Sequence, residues 1–105
     1  MSDILKLSYQ GEKLIVSLGG EIDHHSAVSV RSQIDEALFY YKPETLVIDI
    51  GAVDFMDSSG LGLIMGRLAK AKEIGASLTI QNPSRRAMRM LKMAGLDRII
   101  PIIKN

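Results

Sequence analysis

The sequence has no cysteine, and its only two histidines are the neighbours His24 and His25. The absence of cysteine excludes disulfides and thiolate metal sites. Adjacent histidines cannot easily converge on one ion, so we expect neither a metal site nor a cofactor. No run approaches the roughly 18 apolar residues of a membrane span. Residues 1–10 also lack the basic-then-apolar pattern of a secretion signal. We therefore expect a cytoplasmic protein that does not bind membranes.

Aromatic residues are scarce, at 5% of the 105 positions, and the net charge is only +1. The charges are unevenly distributed, because residues 1–57 carry ten acidic and four basic side chains, whereas residues 58–105 carry two acidic and nine basic ones. Such an asymmetry can mark a nucleic-acid surface. The basic side chains with helical spacing are Arg85, Arg86, Arg89 and Lys92. No aromatic residue interleaves them, so we interpret them as a solvated helix face and predict no direct nucleic-acid binding.

The chain alternates between short apolar runs and helical periodicities. Residues 4–9 and 13–18 are β-type runs separated by a tight turn, which predicts an antiparallel hairpin that ends at the glycine pair 19–20. A helix is predicted from about His25 to Tyr41, with Asp23 or Ser26 as its N-cap. The later predicted elements are a central strand at 45–50, a helix at 58–73, a strand at 77–82, a helix from Asn82–Pro83 to Ala94, and an edge strand at 98–103.

This order, β-β-α-β-α-β-α-β, predicts the fold class. Alternation after an opening hairpin is typical of an α/β domain in which parallel crossovers place helices on a mixed sheet. No linker, repeat or low-complexity stretch interrupts the pattern. We therefore predict one domain over residues 1–105.

The junction at residues 55–62, FMDSSGLG, needs an explanation. Ser58 is a candidate N-cap of the helix that follows, but a cap does not explain glycines at 60, 62 and 66, each of which costs about 1 kcal/mol in a helix. On a helical projection the core face is expected to be residues 61, 64, 65 and 68. Gly62 and Gly66 then form a separate bare stripe. Either another element of the domain packs closely against this stripe, or a partner protein does, and the spacing alone leaves both possibilities open.

A phosphate on Ser58 would affect folding and partner docking differently. It would add about −1.5 to −2 charges, which a helix N-terminus tolerates because anions are favoured there. A partner resting on the stripe would not tolerate that charge, since burying it beside Asp57 is costly. Phosphorylation here should leave the fold intact and change only what can dock.

The region LVIDIGAVDFMDSSGLGLIMGRLAKAKEIGASLTIQNPSRRAMRMLKMAGLDRII resembles anti-sigma factor antagonists built on the STAS domain. The resemblance includes GGEID at 19–23 and covers nearly the whole chain. Sporulation antagonists of the sigma F pathway are the nearest group, and antagonists of general-stress sigma factors are the alternative. The resemblance implies a STAS fold, a role in transcription regulation by partner switching, and no catalytic activity.

The resemblance also implies partners and site residues. The serine directly after the aspartate is the phosphorylated residue of the family, which corresponds to Ser58. The partner is an anti-sigma factor that is also an ATP-dependent serine kinase, and a PP2C-type serine phosphatase reverses the modification. The family's loop aspartate corresponds to Asp23, and Glu21, Ser26, Gly62 and Arg67 lie where the family meets its kinase. With Asp57, Ser59 and Gly66 of the junction and stripe, these residues form the predicted partner-binding set.

Two enzyme-like alternatives remain weaker. Ser58 with His24 or His25 could form a hydrolase pair, but the sequence has no G-x-S-x-G elbow and no clear third group. The glycines of the junction loosely resemble a nucleotide-binding pattern. That pattern needs its first glycine in a tight strand-to-helix turn, whereas a long connection is expected here, and no P-loop sequence is present.

Overall fold

The computed structural model describes residues 4–105. Residues 1–3, which belong to the predicted domain, lie outside the described residues. The strands are β1 (Leu5–Gln10), β2 (Lys13–Ile22), β3 (Thr45–Met56), β4 (Ser77–Gln81) and β5 (Ile102–Ile103). The helices are α1 (His24–Tyr41), α2 (Ser58–Glu73) and α3 (Arg85–Met93), followed by a short 3-10 turn at Leu96–Arg98.

The five strands form one mixed sheet in the order β1-β2-β3-β4-β5. β1 pairs with β2 in antiparallel orientation, and β2 to β5 are mutually parallel. The predicted α/β fold with an opening hairpin is therefore confirmed. The predicted antiparallel hairpin is present, and its register places Leu5 opposite Leu18 and Gln10 opposite Lys13.

The core lies along the central strands and the helices that cover them. Leu14 of β2 pairs with Leu46 of β3, which pairs in turn with Leu78 of β4, and all three side chains are buried. In β3 the consecutive residues Leu46 and Val47 are both buried, as expected for a strand covered on both faces. α1 adds the buried residues Val30, Ile34, Ala37 and Leu38, which recur with helical spacing on one face.

The prediction that the paired glycines end β2 is wrong. β2 continues through them to Ile22, and its register with β3 shifts between Ser17 and Gly19 and again between Gly20 and Glu21. Gly20 has φ +71°, a left-handed conformation that glycine adopts at little cost. The glycines therefore allow the strand to bulge and continue, which places Ile22 opposite Met56.

β3 is also longer than expected. It runs to Met56 rather than Ile50, so the single residue Asp57 connects it to α2. The expected long connection between strand and helix is therefore wrong. The apolar run ends near Ile50, but parallel pairing with the extended β2 keeps residues 51–56 in strand conformation.

The C-terminal boundaries differ from the predicted ones in two places. Ser84, not Asn82, is the N-cap of α3, and its hydroxyl accepts a hydrogen bond from Ala87 N–H at 3.0 Å. Asn82 instead has φ 59°, and its side chain donates to Asp49 Oδ2 at 3.1 Å. The predicted edge strand at 98–103 is shortened to β5, because residues 96–98 form the 3-10 turn and Pro101, which has no N–H, directly precedes β5.

α2 buries only part of the predicted core face. Ile64 is buried and Leu61 and Leu68 pack partly buried against the core, but Met65 is 53% exposed. The buried residues are Gly60, Leu63, Ile64, Arg67 and Ala71. Position 60 has no room for a side chain, because a Cβ there would overlap Met56 Cγ and would lie 2.7 Å from Met56 Sδ. Gly60 therefore lets α2 start directly against the end of β3.

Two glycines of α2 should respond oppositely to the same substitution. Gly60→Ala forces the buried Met56 side chain to move and should lower the free energy of unfolding by about 1–3 kcal/mol. Gly62→Ala meets no atom within 4 Å, and should raise the free energy of unfolding by up to about 1 kcal/mol through helix propensity. Urea unfolding of both variants measures the difference. A similar loss in both would contradict this account of α2 packing.

Candidate functional site

Two aspartates begin two helices at the same edge of the sheet. Asp23 follows β2 and is the N-cap of α1, and Asp57 follows β3 and is the N-cap of α2. β2 and β3 are parallel neighbours, so both strands end at this edge. The backbone joins the two caps, because Asp57 N–H donates to Ile22 C=O at 3.3 Å. The structure thus brings together Asp23 and Asp57, which lie 34 positions apart in the sequence.

The start of α1 is held by a reciprocal capping box. Asp23 Oδ1 accepts from Ser26 N–H at 2.9 Å, and Ser26 Oγ accepts from Asp23 N–H at 3.0 Å. Asp23 is therefore the N-cap, and Ser26, the alternative, is its partner at the third helical position. The hydrogen bond from Ser26 N–H lowers the pKa of Asp23 below its usual value. Ser26 Oγ also lies 3.1 Å from Glu21 C=O, to which it can donate, and the Glu21 side chain is exposed.

The start of α2 corrects the expected role of Ser58. Asp57 Oδ1 accepts from Ser59 N–H at 2.8 Å and so caps the helix. Ser58 is the first helical residue rather than the cap, and it is exposed. Aspartate is a better hydrogen-bond acceptor than a hydroxyl here, since its charge also interacts favourably with the helix dipole. The Ser58 hydroxyl is consequently not used in capping.

A groove of about 350 Å³ runs between α1 and α2 beside these helix starts. Its lining includes Ser59, Gly62, Gly66 and Arg67 from α2, and His24, Ala27, Val28 and Arg31 from α1. A Cβ added at Gly62 or at Gly66 would meet no atom within 4 Å in the described part of the chain. The glycine stripe is therefore not closely packed against another element of the described domain, and docking of a partner on it stays a prediction. It forms an open wall of the groove.

Arg67 is buried in this groove, with 4% of its surface exposed. Its Nε lies 2.8 Å from Asp35 Oδ1, but neither atom meets hydrogen-bond geometry. Its Nη1 is buried and has no hydrogen-bond partner within residues 4–105. Burial lowers the pKa of Arg67, an effect that the negative charge of Asp35 opposes and the positive charge of Arg31 reinforces. An arginine nevertheless stays protonated at neutral pH.

Asp35 is the residue that sequence reasoning missed. The periodicity of α1 places it away from the core face, and it is only partly exposed because Arg67 of α2 lies against it. A pair that joins two helices leaves no signal in local spacing. His24 and His25 are both exposed, and only His24 lines the groove, where the lining serine is Ser59 and not Ser58.

Residues 4–105 contain no group of three or more histidine, aspartate or glutamate side chains arranged to hold a metal ion. In the same range, no helix combines the length and the apolar character needed to cross a lipid bilayer.

Comparison with known sequences identifies the family. The STAS domain model matches residues 5–105. The anti-sigma F factor antagonist of Paenibacillus polymyxa is 38% identical over 101 residues, which cover 96% of this chain and 86% of that protein. The anti-sigma-B factor antagonist of Bacillus subtilis is 36% identical over 87 residues, which cover 83% of this chain and 78% of that protein.

Solved structures agree with the sequence comparison. Unphosphorylated SpoIIAA, an anti-sigma factor antagonist, superposes with a TM-score of 0.85 at 26% identity, over 96% of this chain and 87% of that chain. The phosphorylated form of Bacillus SpoIIAA superposes with a TM-score of 0.79 at 27% identity, over 96% of this chain and 90% of that chain. The chain therefore belongs to the STAS domain family and, within it, to the anti-sigma factor antagonists, which are regulatory binding proteins rather than enzymes.

Proposed function

We propose that this protein is a phosphorylation-controlled antagonist of the sigma F pathway. In its unphosphorylated form it binds an anti-sigma factor that is also a serine kinase, and the sporulation sigma factor is released. Phosphorylation on Ser58 by that kinase, with its ATP, ends the binding, and a PP2C-type phosphatase restores it. The observation that carries the proposal is the exposed Ser58 hydroxyl at the first position of α2, next to a groove with an open glycine wall.

Phosphorylation of Ser58 is compatible with the fold, which is the first step of the proposed switch. Ser58 makes no cap, so modifying its hydroxyl removes no hydrogen bond that holds α2, and the helix dipole favours an anion at this end. The two SpoIIAA structures support this step, since the phosphorylated and unphosphorylated forms of that antagonist both superpose on this chain.

The second step is that the phosphate opposes docking. The partner is proposed to cover the helix starts, where Glu21, Asp23, Ser26, Asp57 and Ser59 lie, and to enter the groove along Gly62, Gly66 and Arg67. A phosphate beside Asp57 adds about −1.5 to −2 charges to an edge that already carries carboxylates. Covering that charge requires its desolvation without a new counterion, which is costly. Binding is lost while the domain stays folded.

The remaining roles follow from this arrangement. The ATP belongs to the kinase, so the antagonist needs no cofactor, and control of transcription is indirect, with neither nucleic acid nor membrane as a partner. The proposal places this switch in the cytoplasm, where sigma factors and their regulators act. Asp23 and Asp57 contribute by holding the two helix starts and by setting the local charge.

A general-stress pathway is the second candidate, because the anti-sigma-B factor antagonist of Bacillus subtilis has nearly the same identity to this chain. The match to the sigma F antagonist of Paenibacillus polymyxa covers more of this chain, 96% against 83%, and favours sigma F. The same switch would operate in either pathway. Affinities for the sigma F and the general-stress anti-sigma factors of the source organism would distinguish them.

Mass mapping tests the modification site. Incubation with the cognate kinase and ATP should add one phosphate, and fragmentation should place it on Ser58, which is the exposed serine of the pair. Ser58→Ala should remain unmodified under the same conditions. Modification of Ser59 in the parent chain, or of Ser58→Ala to the same extent as the parent, would contradict the assignment.

A charge at position 58 should separate binding from folding. Ser58→Asp should keep the parent thermal midpoint and weaken kinase binding at least about tenfold, equivalent to about 1.4 kcal/mol, because the partner would bury an added charge. Ser58→Asn is the matched control, since it has nearly the same shape without the charge, and it should bind close to parent affinity. Calorimetry and thermal unfolding measure both quantities. Equal affinities of the two variants would disprove the electrostatic mechanism.

The open glycine wall can be filled without harm to the fold. Gly62→Ala and Gly66→Ala should each stabilise α2 by up to about 1 kcal/mol and still weaken kinase binding, because the added methyl groups project into the groove. Combining a rise in thermal midpoint with a loss of affinity excludes unfolding as the cause. Unchanged affinity in the double variant would show that the kinase does not enter the groove.

A further inference from the structure

The groove between α1 and α2 has an uncompensated positive charge. Arg31 and Arg67 both line it, and the positive charge of Arg31 acts on Arg67. Asp35 is the one carboxylate paired with Arg67 in the described part of the chain, and no ion pair of Arg31 is found there. Arg67 thus has one counterion and Arg31 has none in the described part of the chain.

Arg67 is also incompletely hydrogen-bonded although it is buried. Its Nη1 is inaccessible to solvent in the described structure and has no partner there, while its Nε approaches Asp35 without hydrogen-bond alignment. Buried polar groups of proteins are normally satisfied, and an exception to this rule requires an explanation. A guanidinium group presents its donors in a planar fork that matches a carboxylate. Nη1 itself is shielded from solvent, so the groove offers a partner the charge of Arg67 rather than this donor, beside the open glycine wall.

We propose that the kinase partner inserts an acidic side chain, Asp or Glu, into this groove, where its carboxylate neutralises the surplus charge of Arg31 and Arg67. This inference rests on the proposed function and specifies the chemistry of the contact. A single carboxylate matches the imbalance of one positive charge. The open wall at Gly62 and Gly66 provides the space for the partner's backbone to approach.

The position of the groove connects this contact to the switch. Gly62 and Gly66 lie about one and two turns after Ser58, which corresponds to roughly 6–12 Å along the helix axis. A phosphate on Ser58 would therefore stand about one to two Debye lengths from the inserted carboxylate at physiological salt, where the Debye length is about 8 Å. Salt would screen part of their mutual repulsion, and the remainder would add to the block at the helix starts.

A charge-swap experiment with the purified kinase from the same organism tests the inference. Arg31→Glu should weaken binding at least about tenfold, since it reverses the charge at an exposed position of the groove. Arg85→Glu is the matched control, because it makes the same charge change at an exposed position of α3 outside the groove, and it should change the affinity less than about twofold. Each acidic residue of the kinase's docking face is then changed to lysine and measured against both forms of this chain.

The expected result is that one kinase variant binds Arg31→Glu at least about tenfold better than it binds the parent chain. The inference is overturned if Arg31→Glu and Arg85→Glu have equal effects, or if no acid-to-lysine variant restores binding. Arg31→Gln gives a second measurement without an introduced acid, and it should weaken binding by several-fold. If Ser58→Asp blocks the kinase and Arg31→Glu does not, the inference falls and the proposed function stands. If the parent chain does not bind the kinase, the proposed function itself falls.

Discussion

Parallel pairing between the ends of β2 and β3 is the constraint on which the site depends. Ile22 lies opposite Met56, and the hydrogen bond from Asp57 N–H to Ile22 C=O extends this pairing into the start of α2. Each strand is followed by one aspartate that caps a helix, so two capped helix starts leave the sheet side by side. The groove is lined by residues of α1 and α2, and it lies beside these two helix starts, with His24 and Ser59 in its lining.

The glycines of α2 perform two opposite steric functions. Gly60 is needed inside the domain, where Met56 occupies the space that a side chain would take, whereas Gly62 and Gly66 border empty space. Glycine that is required for packing compensates for its helix-propensity cost within the folded state. Glycine beside empty space does not, and its cost of about 1 kcal/mol each has no compensation from packing within the described residues. This difference is the strongest physical reason to place a partner at the groove.

Much of the fold could be predicted from the sequence, because the hairpin, α1 and α2 each have a complete local pattern. The extension of β2 through its glycines could not, since a local glycine signal favours a break and only pairing with β3 keeps the strand intact. The predicted buried face of α2 was only partly right for a related reason, since it included the buried Ile64 but not Arg67. Hydropathy places an arginine outside the core, but Arg67 is buried against Asp35 of another helix. The exposure of Ser58 and the open glycine stripe were predictable, whereas the capping role of Asp57 and the polarity of the groove were not.

The position of Ser58 relative to the cap determines how a modification would act. If Ser58 were the N-cap, phosphorylation would change the acceptor that holds the first turn, and binding and helix stability would change together. Asp57 makes that hydrogen bond instead, through Ser59 N–H at 2.8 Å. The Ser58 hydroxyl therefore does not cap α2, and the helix dipole interacts favourably with a phosphate at this position. A folded domain can in this way carry the added charge without rearrangement, and the whole effect of the charge falls on whatever approaches the helix starts.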